Sequence, residues 1–420
     1  MSVYIRQQDL IDLPSMRQER VEKAREQMKK DGIGAVLAFQ QDNIEYLTDT
    51  ETTRLNSPWM LITRNVLFPR NGDPRLYEWG FRYTKVRDEL CPWLKGHVYP
   101  GWRLRMVLQA DLRPQAFLDD LKKVLEEHDL LKEPVGIDIP IVTIKFPEHI
   151  KSEGIEVVDA GPSLYKARAI KTKDEIACFK ESVVVCDEIF GEFRDAIKPG
   201  VTETDLMGLA ADLSHRRECD SCVEAYISAG ERTYPGGRRH SNRPIRPGDM
   251  IILGLNSVRW RGYHAGYCRT FICGRATEQQ KEVYAKAREL QYKAIDAVKP
   301  GVTTADIAAV WPGPEYWGRK TWREVADCVL GYGVGLDERE LPTISPLISP
   351  QKPEKIEENM ILSFETYYGI PQYAGVDMYF GDAVPPGVGA RVQNSVLVTK
   401  DGCEILTTWP DDEPTEAWIW

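Results

Sequence analysis

The chain has 420 residues, of which 42% are hydrophobic and 28% charged, and its formal net charge is −10. That length exceeds one ordinary core and predicts two domains or one unusually large one. The acidic balance repels a phosphate backbone and leaves no basic tract for nucleic acid or anionic lipid, and no apolar run nears the length that spans a bilayer. The start, MSVYIRQQDLIDLP, lacks the basic residues and apolar stretch of a secretory leader, so a cytoplasmic protein with a small-molecule partner is expected.

In chain order, SMRQERVEKAREQMKKDG crowds its charges on one helical face, with Gly32 as a C-terminal stop. The apolar run IGAVLAF (33–39) follows as a buried strand, and WMLIT (59–63), PVGIDI (134–139) and IEVVDA (155–160) read as further strands. A helix through FLDDLKKVLEEHDLL lies among them. This alternation suggests an α/β layer structure over about residues 1–160. Further on, AIKPGVTETDL (196–206) recurs as AVKPGVTTADI (297–307), each copy preceded by a helical segment. In both copies KPG stops one helix, and Thr202 or Thr303 is a natural N-cap for the next. Two copies imply duplicated halves, not a stacked array. Strand patterns follow at 250–256, 266–274, 360–369 and 390–402. Nine cysteines in such a chain fit reduced thiols, and the single C-x-x-C at Cys219 and Cys222 has no second pair to complete a structural zinc site.

The repeat resembles the creatinase/aminopeptidase P family, the pita-bread enzymes, as do LYKARAIKTKDEI (164–176), PGDMIILGLN, GYHAGYCRTF, GYGVGLDERELP (331–342), ENMILSFETYYG and GARVQNSVLVTKDG. The resemblance covers roughly residues 10–410. It implies a ribonuclease-H-like α/β domain over 1–163, then a duplicated pita-bread catalytic domain with a curved antiparallel sheet over 164–420, in a homodimer. Metallopeptidases of the family bind two divalent metals through two Asp, one His and two Glu. Those positions fall here on Asn256 (or Leu255), Gly266, Tyr332, Glu365 and Gln393, so one carboxylate is kept. Hard divalent ions need several anionic oxygens, so neither a metal nor another cofactor is expected.

The resemblance extends to the family's metal-free branch, creatinase and ectoine hydrolase. It implies His240, in GGRRHSNRPIRPGD, as acid/base and Glu365 as its partner. Other functional creatinase positions fall on Cys268, on Asn394, and near Ser57, with Arg54 upstream. The chain is also similar to the dimethylsulfoniopropionate lyase of this superfamily, in LAFQQDNIEYLTD (37–49) and SAGERTYP (228–235).

Read physically, strand alternation puts His264, Gly266, Cys268 and Thr270 on one face, where His264 can titrate near neutral pH or hydrogen-bond into the sheet rim. Glu365 sits in an apolar run and needs a partner: a substrate cation, or structurally Arg391 or Arg339. Tyr332 can donate to a developing oxyanion or simply fill space, and Arg339 suits a substrate carboxylate. Arg261 beside Trp260, and Trp59 in LNSPWML, are further substrate contacts or, structurally, a solvated charge and a core side chain. Cys268 is a nucleophile only if a histidine lowers its pKa; otherwise it is a small buried hydrophobe. Together these residues predict a metal-independent hydrolase of a C–N bond in a small zwitterion or amino-acid derivative. The rival readings are a lyase that abstracts a proton, an inactive metabolite-binding protein, and a metallopeptidase with ligands relocated to His240, His264 and Glu365.

Overall fold

The structure is a computed structural model that describes residues 10–51, 64–78, 81–138, 145–220, 225–234, 239–317, 320–325, 330–371 and 387–419. It divides into two compact units, Asp12–Arg168 and Ala169–Trp420.

The first unit opens with the expected helix, Leu13–Lys30. The Asp12 carboxylate accepts from the Ser15 amide to cap it, Lys29 and Lys30 close its last turn, and Gly32 follows at φ +69°. Six strands form one sheet: β1 (Ala35–Ala38), β2 (Asn65–Pro69), β3 (Arg75–Glu78), β4 (Val98–Pro100), β5 (Val135–Ile137) and β6 (Val157–Asp159), in the order β4-β3-β2-β1-β5-β6. The β1–β5, β5–β6 and β3–β4 pairs are parallel and the others antiparallel. The helix Gln115–Glu127 seals this sheet with Phe117, Leu118, Leu121, Val124 and Leu125, all fully buried. The strand expected at 59–63 lies outside the described residues.

In the second unit the repeat becomes visible as geometry. The helix Lys173–Ala196 starts on a Thr172–Glu175 capping box, and Thr202 with Asp205 makes the same device for Glu203–Arg216. In the other copy Thr277 with Gln280 caps Glu278–Asp296, and Thr303 with Asp306 caps Thr304–Ala308. Gly200 (φ +92°) and Gly301 (φ +90°) adopt the same left-handed turn. Each donates its amide at 2.9 Å to an isoleucine carbonyl, Ile245 in one half and Ile356 in the other.

Between and after these helices run β7 (Tyr226–Ala229), β8 (Met250–Gly254), β9 (Arg259–Trp260), β10 (Tyr263–His264), β11 (Cys268–Cys273), β12 (Gly331–Gly333), β13 (Glu340–Ile344), β14 (Ile361–Pro371), β15 (Gly387–Val398), β16 (Cys403–Ile405) and β17 (Thr415–Ala417). All but β9 and β10 belong to one nine-stranded sheet, ordered β13-β12-β14-β15-β11-β8-β7, with β16 on β15 and β17 on β11. It is antiparallel throughout except at β17. The helix Glu278–Asp296 lies on one face, where the Gln291 amide donates to the Phe364 and Val392 carbonyls. The fold is thus the expected α/β unit followed by a duplicated, helix-backed antiparallel sheet. No helix among the described residues is long and apolar enough to cross a membrane.

Candidate functional site

The site grows out of strand register. Tyr226 pairs with Gly254, Gly254 with Cys268, Cys268 with Gln393, and Gln393 with Glu365, so one row of side chains crosses four strand junctions. Directly opposed residues share a face, and so do residues two apart. Arg391 and Ser363 therefore join the row from neighbouring positions, as does Tyr332, which pairs with Ser363.

Glu365 is the hub. Its residue is 8% exposed. It forms a short ion pair with the Arg391 guanidinium, accepts from the Tyr226 hydroxyl at 3.4 Å, and accepts from the Tyr332 hydroxyl at 3.3 Å. Of the two structural partners the sequence allowed, the structure uses Arg391. Desolvation pulls the Arg391 pKa down, but Glu365 and the surrounding phenols and thiol more than offset it, so the guanidinium stays firmly protonated. Burial raises the Tyr332 and Tyr226 phenols well above their usual range, Glu365 adding to both, so they act as neutral hydrogen-bond donors. Since Tyr332 spends its one hydrogen on Glu365, it can only accept from Gln393 Nε2, 3.1 Å away. Gln393 Nε2 also donates to Ser363 Oγ at 2.9 Å, which leaves Gln393 Oε1 turned away from both hydroxyls.

Tyr226 is a residue that sequence reasoning missed. Its ring lies over Gly254, where an added Cβ would come within 2.1 Å of the ring carbon Cε1. The glycine closing a strand was the available signal: it marks a place where something else approaches closely. Arg391 stacks on the same ring, 5.1 Å from its centroid.

Several expected members lie elsewhere or behave differently. Cys268 is in the row, but burial pushes its thiol up to about 12, and its contact is the Tyr226 hydroxyl at 3.3 Å. That corrects the nucleophile reading, because a thiol so far from ionisation is a poor one. His264 does not continue the alternation to Cys268: it belongs to the β9–β10 hairpin, and Gly266, at φ +56°, breaks the extended backbone between them. Desolvation, then nearby Arg259, lowers the His264 pKa to about 3, and Nδ1 lies 3.1 Å from the Asn256 carbonyl. It is a neutral imidazole, not a group titrating near pH 7. Arg261 and Gly262 form the two-residue turn of that hairpin, at φ 48° and 80°, with the guanidinium 5.2 Å above Trp260.

Arg339 is exposed, its guanidinium 5.1 Å from the Tyr332 ring centroid. His240 lies between Arg239, whose carbonyl accepts from Arg232, and Ser241, whose amide and hydroxyl bind Glu203. No hydrogen bond or ion pair among the described residues joins it to Glu365. Asn394 faces away from Glu365 into a network with Arg269, Gln291 and Asp411. Trp59, Ser57, Arg54 and Cys222 lie outside the described residues.

The five positions that the family resemblance assigns to metal ligands therefore present one carboxylate, and it is already paired with a guanidinium. Gly266 has no side chain, and an added Cβ would meet the hydroxyls of Ser395 and Ser363 at 2.9 and 3.0 Å. Asn256 donates to Glu338 Oε1 at 3.1 Å. Among the described residues no three His, Cys, Asp or Glu side chains gather in a way that could hold a metal ion. A pair of divalent metals does not fit the residues at these positions.

Comparison with known proteins supplies the remaining findings. Residues 177–400 match metallopeptidase family M24, and residues 20–170 match the creatinase/prolidase N-terminal domain. The chain is 24% identical over 395 residues to a Xaa-Pro dipeptidase of Pyrococcus horikoshii, covering 93% of this chain and 97% of that one. It is 26% identical over 257 residues to a Xaa-Pro dipeptidase of Lactobacillus helveticus, covering 59% and 62%. In structure it is similar to a Xaa-Pro dipeptidase from Bacillus anthracis, with a TM-score of 0.72 at 20% identity over 96% of this chain and 100% of that one. A Thermotoga maritima X-Pro aminopeptidase gives a TM-score of 0.71 at 19% identity, over 95% and 99%. These matches correct the expectation of a metal-independent enzyme of the creatinase branch: the family is one of metallopeptidases, and the matched relatives are Xaa-Pro dipeptidases.

Proposed function

Because this chain belongs to metallopeptidase family M24, with a creatinase/prolidase domain ahead of it, we propose that it hydrolyses a C–N bond in a small peptide or peptide-like substrate. The similarity to Xaa-Pro dipeptidases supports the bond class. The observation that carries the reading to this row is Glu365, a buried carboxylate held by one guanidinium and two phenols on a single face of the sheet. A carboxylate has about four lone-pair positions, so three donors leave capacity to orient a water or a substrate N–H. Tyr332 and Tyr226 offer hydroxyls to the same space. In this reading Glu365 and Tyr332 act on the substrate and Gln393 contacts it, while His240 enters through the family resemblance alone. A cytoplasmic homodimer belongs to the same reading.

The test is turnover by the purified full-length chain of a dipeptide panel that includes Xaa-Pro sequences, read by mass spectrometry in heavy-oxygen water. One labelled oxygen in the new carboxylate is expected, and Glu365→Gln should lower the rate by about a hundredfold or more. Absence of product across the panel, or full activity in that variant, sinks the proposal.

A further inference from the structure

Two buried polar atoms in the row have no hydrogen-bond partner among the described residues: Arg391 Nε and Gln393 Oε1. Leaving such atoms unmatched is costly, more so for the nitrogen of a charged group. They are opposite in kind. Arg391 Nε–H is a cationic donor, and Gln393 Oε1 is an acceptor, because Tyr332 has no hydrogen left to give the glutamine and so fixes the amide's orientation. The two residues sit two apart on β15, with Cα atoms roughly 7 Å apart on the same face, and both converge on the Glu365–Tyr332 pair.

A ligand that satisfies both atoms must accept from one and donate to the other. A peptide supplies that combination, in the carbonyl oxygen of one amide and the N–H of an amide or amine beside it. From this, and resting on the C–N hydrolase reading above, we propose that Arg391 Nε–H binds the carbonyl oxygen of the scissile amide while Gln393 Oε1 accepts a hydrogen bond from the substrate's nitrogen. During hydrolysis the water oxygen adds to the carbonyl carbon and the C–N bond breaks. One water hydrogen ends on the departing amine and the other on the new carboxyl group, which releases it to solvent. Arg391 neither gains nor loses a proton. Its fixed positive charge lies where negative charge develops on oxygen, held there by Glu365 on one side and the Tyr226 ring on another. Nη2 is committed to Glu365, and Nε is the nitrogen of this guanidinium that is buried without a partner among the described residues.

The experiment compares an Ala-Pro dipeptide with its thioamide analogue, whose sulfur is a weak acceptor in nearly the same shape. Dissociation constants come from stopped-flow tryptophan fluorescence of the full chain before the first turnover. Wild type is expected to bind the oxo compound about tenfold or more tighter. Arg391→Lys, which keeps the charge but lacks Nε–H, should bind both alike. Gln393→Leu should weaken both while preserving the preference. In wild type labelled with 15N-arginine, one Nε resonance should shift with the oxo compound and stay in place with the thioamide, a readout that needs no variant to fold. Absence of preference in wild type, failure to bind either compound, or a preference that survives Arg391→Lys overturns the assignment. Preferential binding without any turnover would instead sink the hydrolase reading and leave Arg391 as a carbonyl-binding residue.

Discussion

Gln393 and Asn394 are consecutive on β15 and point to opposite faces of the sheet, and each face holds an arginine, Arg269 fully buried and Arg391 half-buried. Behind the sheet, Arg269 donates to the carbonyls of Cys268, Gln393 and Trp409 and to Asn394 Oδ1. Asn394 in turn donates to Gln291 and Asp411 and accepts from Thr407. That network is closed, with each donor and acceptor of the arginine and the asparagine matched. In front, Arg391 and Gln393 each keep an unmatched atom. Polar groups buried for structure are satisfied internally, whereas polar groups buried for a ligand are satisfied when it arrives. On these two faces the criterion sets a closed network apart from an open row, although unmatched buried atoms also occur at Gln41 Nε2 and Asn65 Oδ1 in the first unit.

The comparison breaks most visibly if the closed network proves dispensable. Arg269→Met strips donors from several buried acceptors at once and should lower the unfolding free energy by about 3 kcal/mol or more in urea titration. A loss well below this would remove the distinction. A narrower contrast pairs the neighbours on β15. Asn394→Leu should cost about 2–3 kcal/mol, because Asp411, Gln291 and Arg269 lose a partner, whereas Gln393→Leu discards one unmatched atom and two donated bonds to hydroxyls that keep Glu365 and the Gly266 carbonyl, and should cost about 1 kcal/mol less. Equal costs would contradict the contrast.

Acid sharpens the picture at the β9–β10 hairpin. His264 has a folded pKa of about 3, below the ordinary histidine value, so the unfolded chain binds a proton there that the folded chain refuses. Its contribution to stability is fully present above the unfolded pKa and declines as the pH falls toward 3, with a slope of up to about 1.4 kcal/mol per pH unit. His264→Gln should flatten the stability profile over that window relative to wild type. The smallest expected effect is at Cys268. With its thiol pushed up to about 12, the native protein should leave it unalkylated by iodoacetamide at pH 8 and label it only in urea. Rapid native labelling at this position by peptide mass mapping would show the row to be more open than its burial suggests.

Much of this was legible in the chain. The KPG repeat gave both helix stops and both N-caps, since glycine's left-handed turn and threonine's capping are local chemistry. The apolar runs around β1, β8, β11, β14 and β15 marked those strands correctly. Short strands such as Tyr226–Ala229 and Gly331–Gly333 escaped, because three or four residues carry too little period to register. The alternation drawn through His264, Gly266 and Cys268 failed at a single glycine with positive φ.

What the sequence determined by itself was therefore local: where helices begin and end, which segments are strands, and that Glu365 would need a partner. Only the tertiary structure decided which partner. The register of β14 against β15 sets Glu365 opposite Gln393 and brings Arg391 diagonally beside it, while β7 carries Tyr226 over the space left by Gly254. Such pairings join residues far apart in the chain, and a slip of one residue would send each side chain to the other face. No local preference fixes that choice. It follows from the simultaneous fit of the whole sheet against its helices.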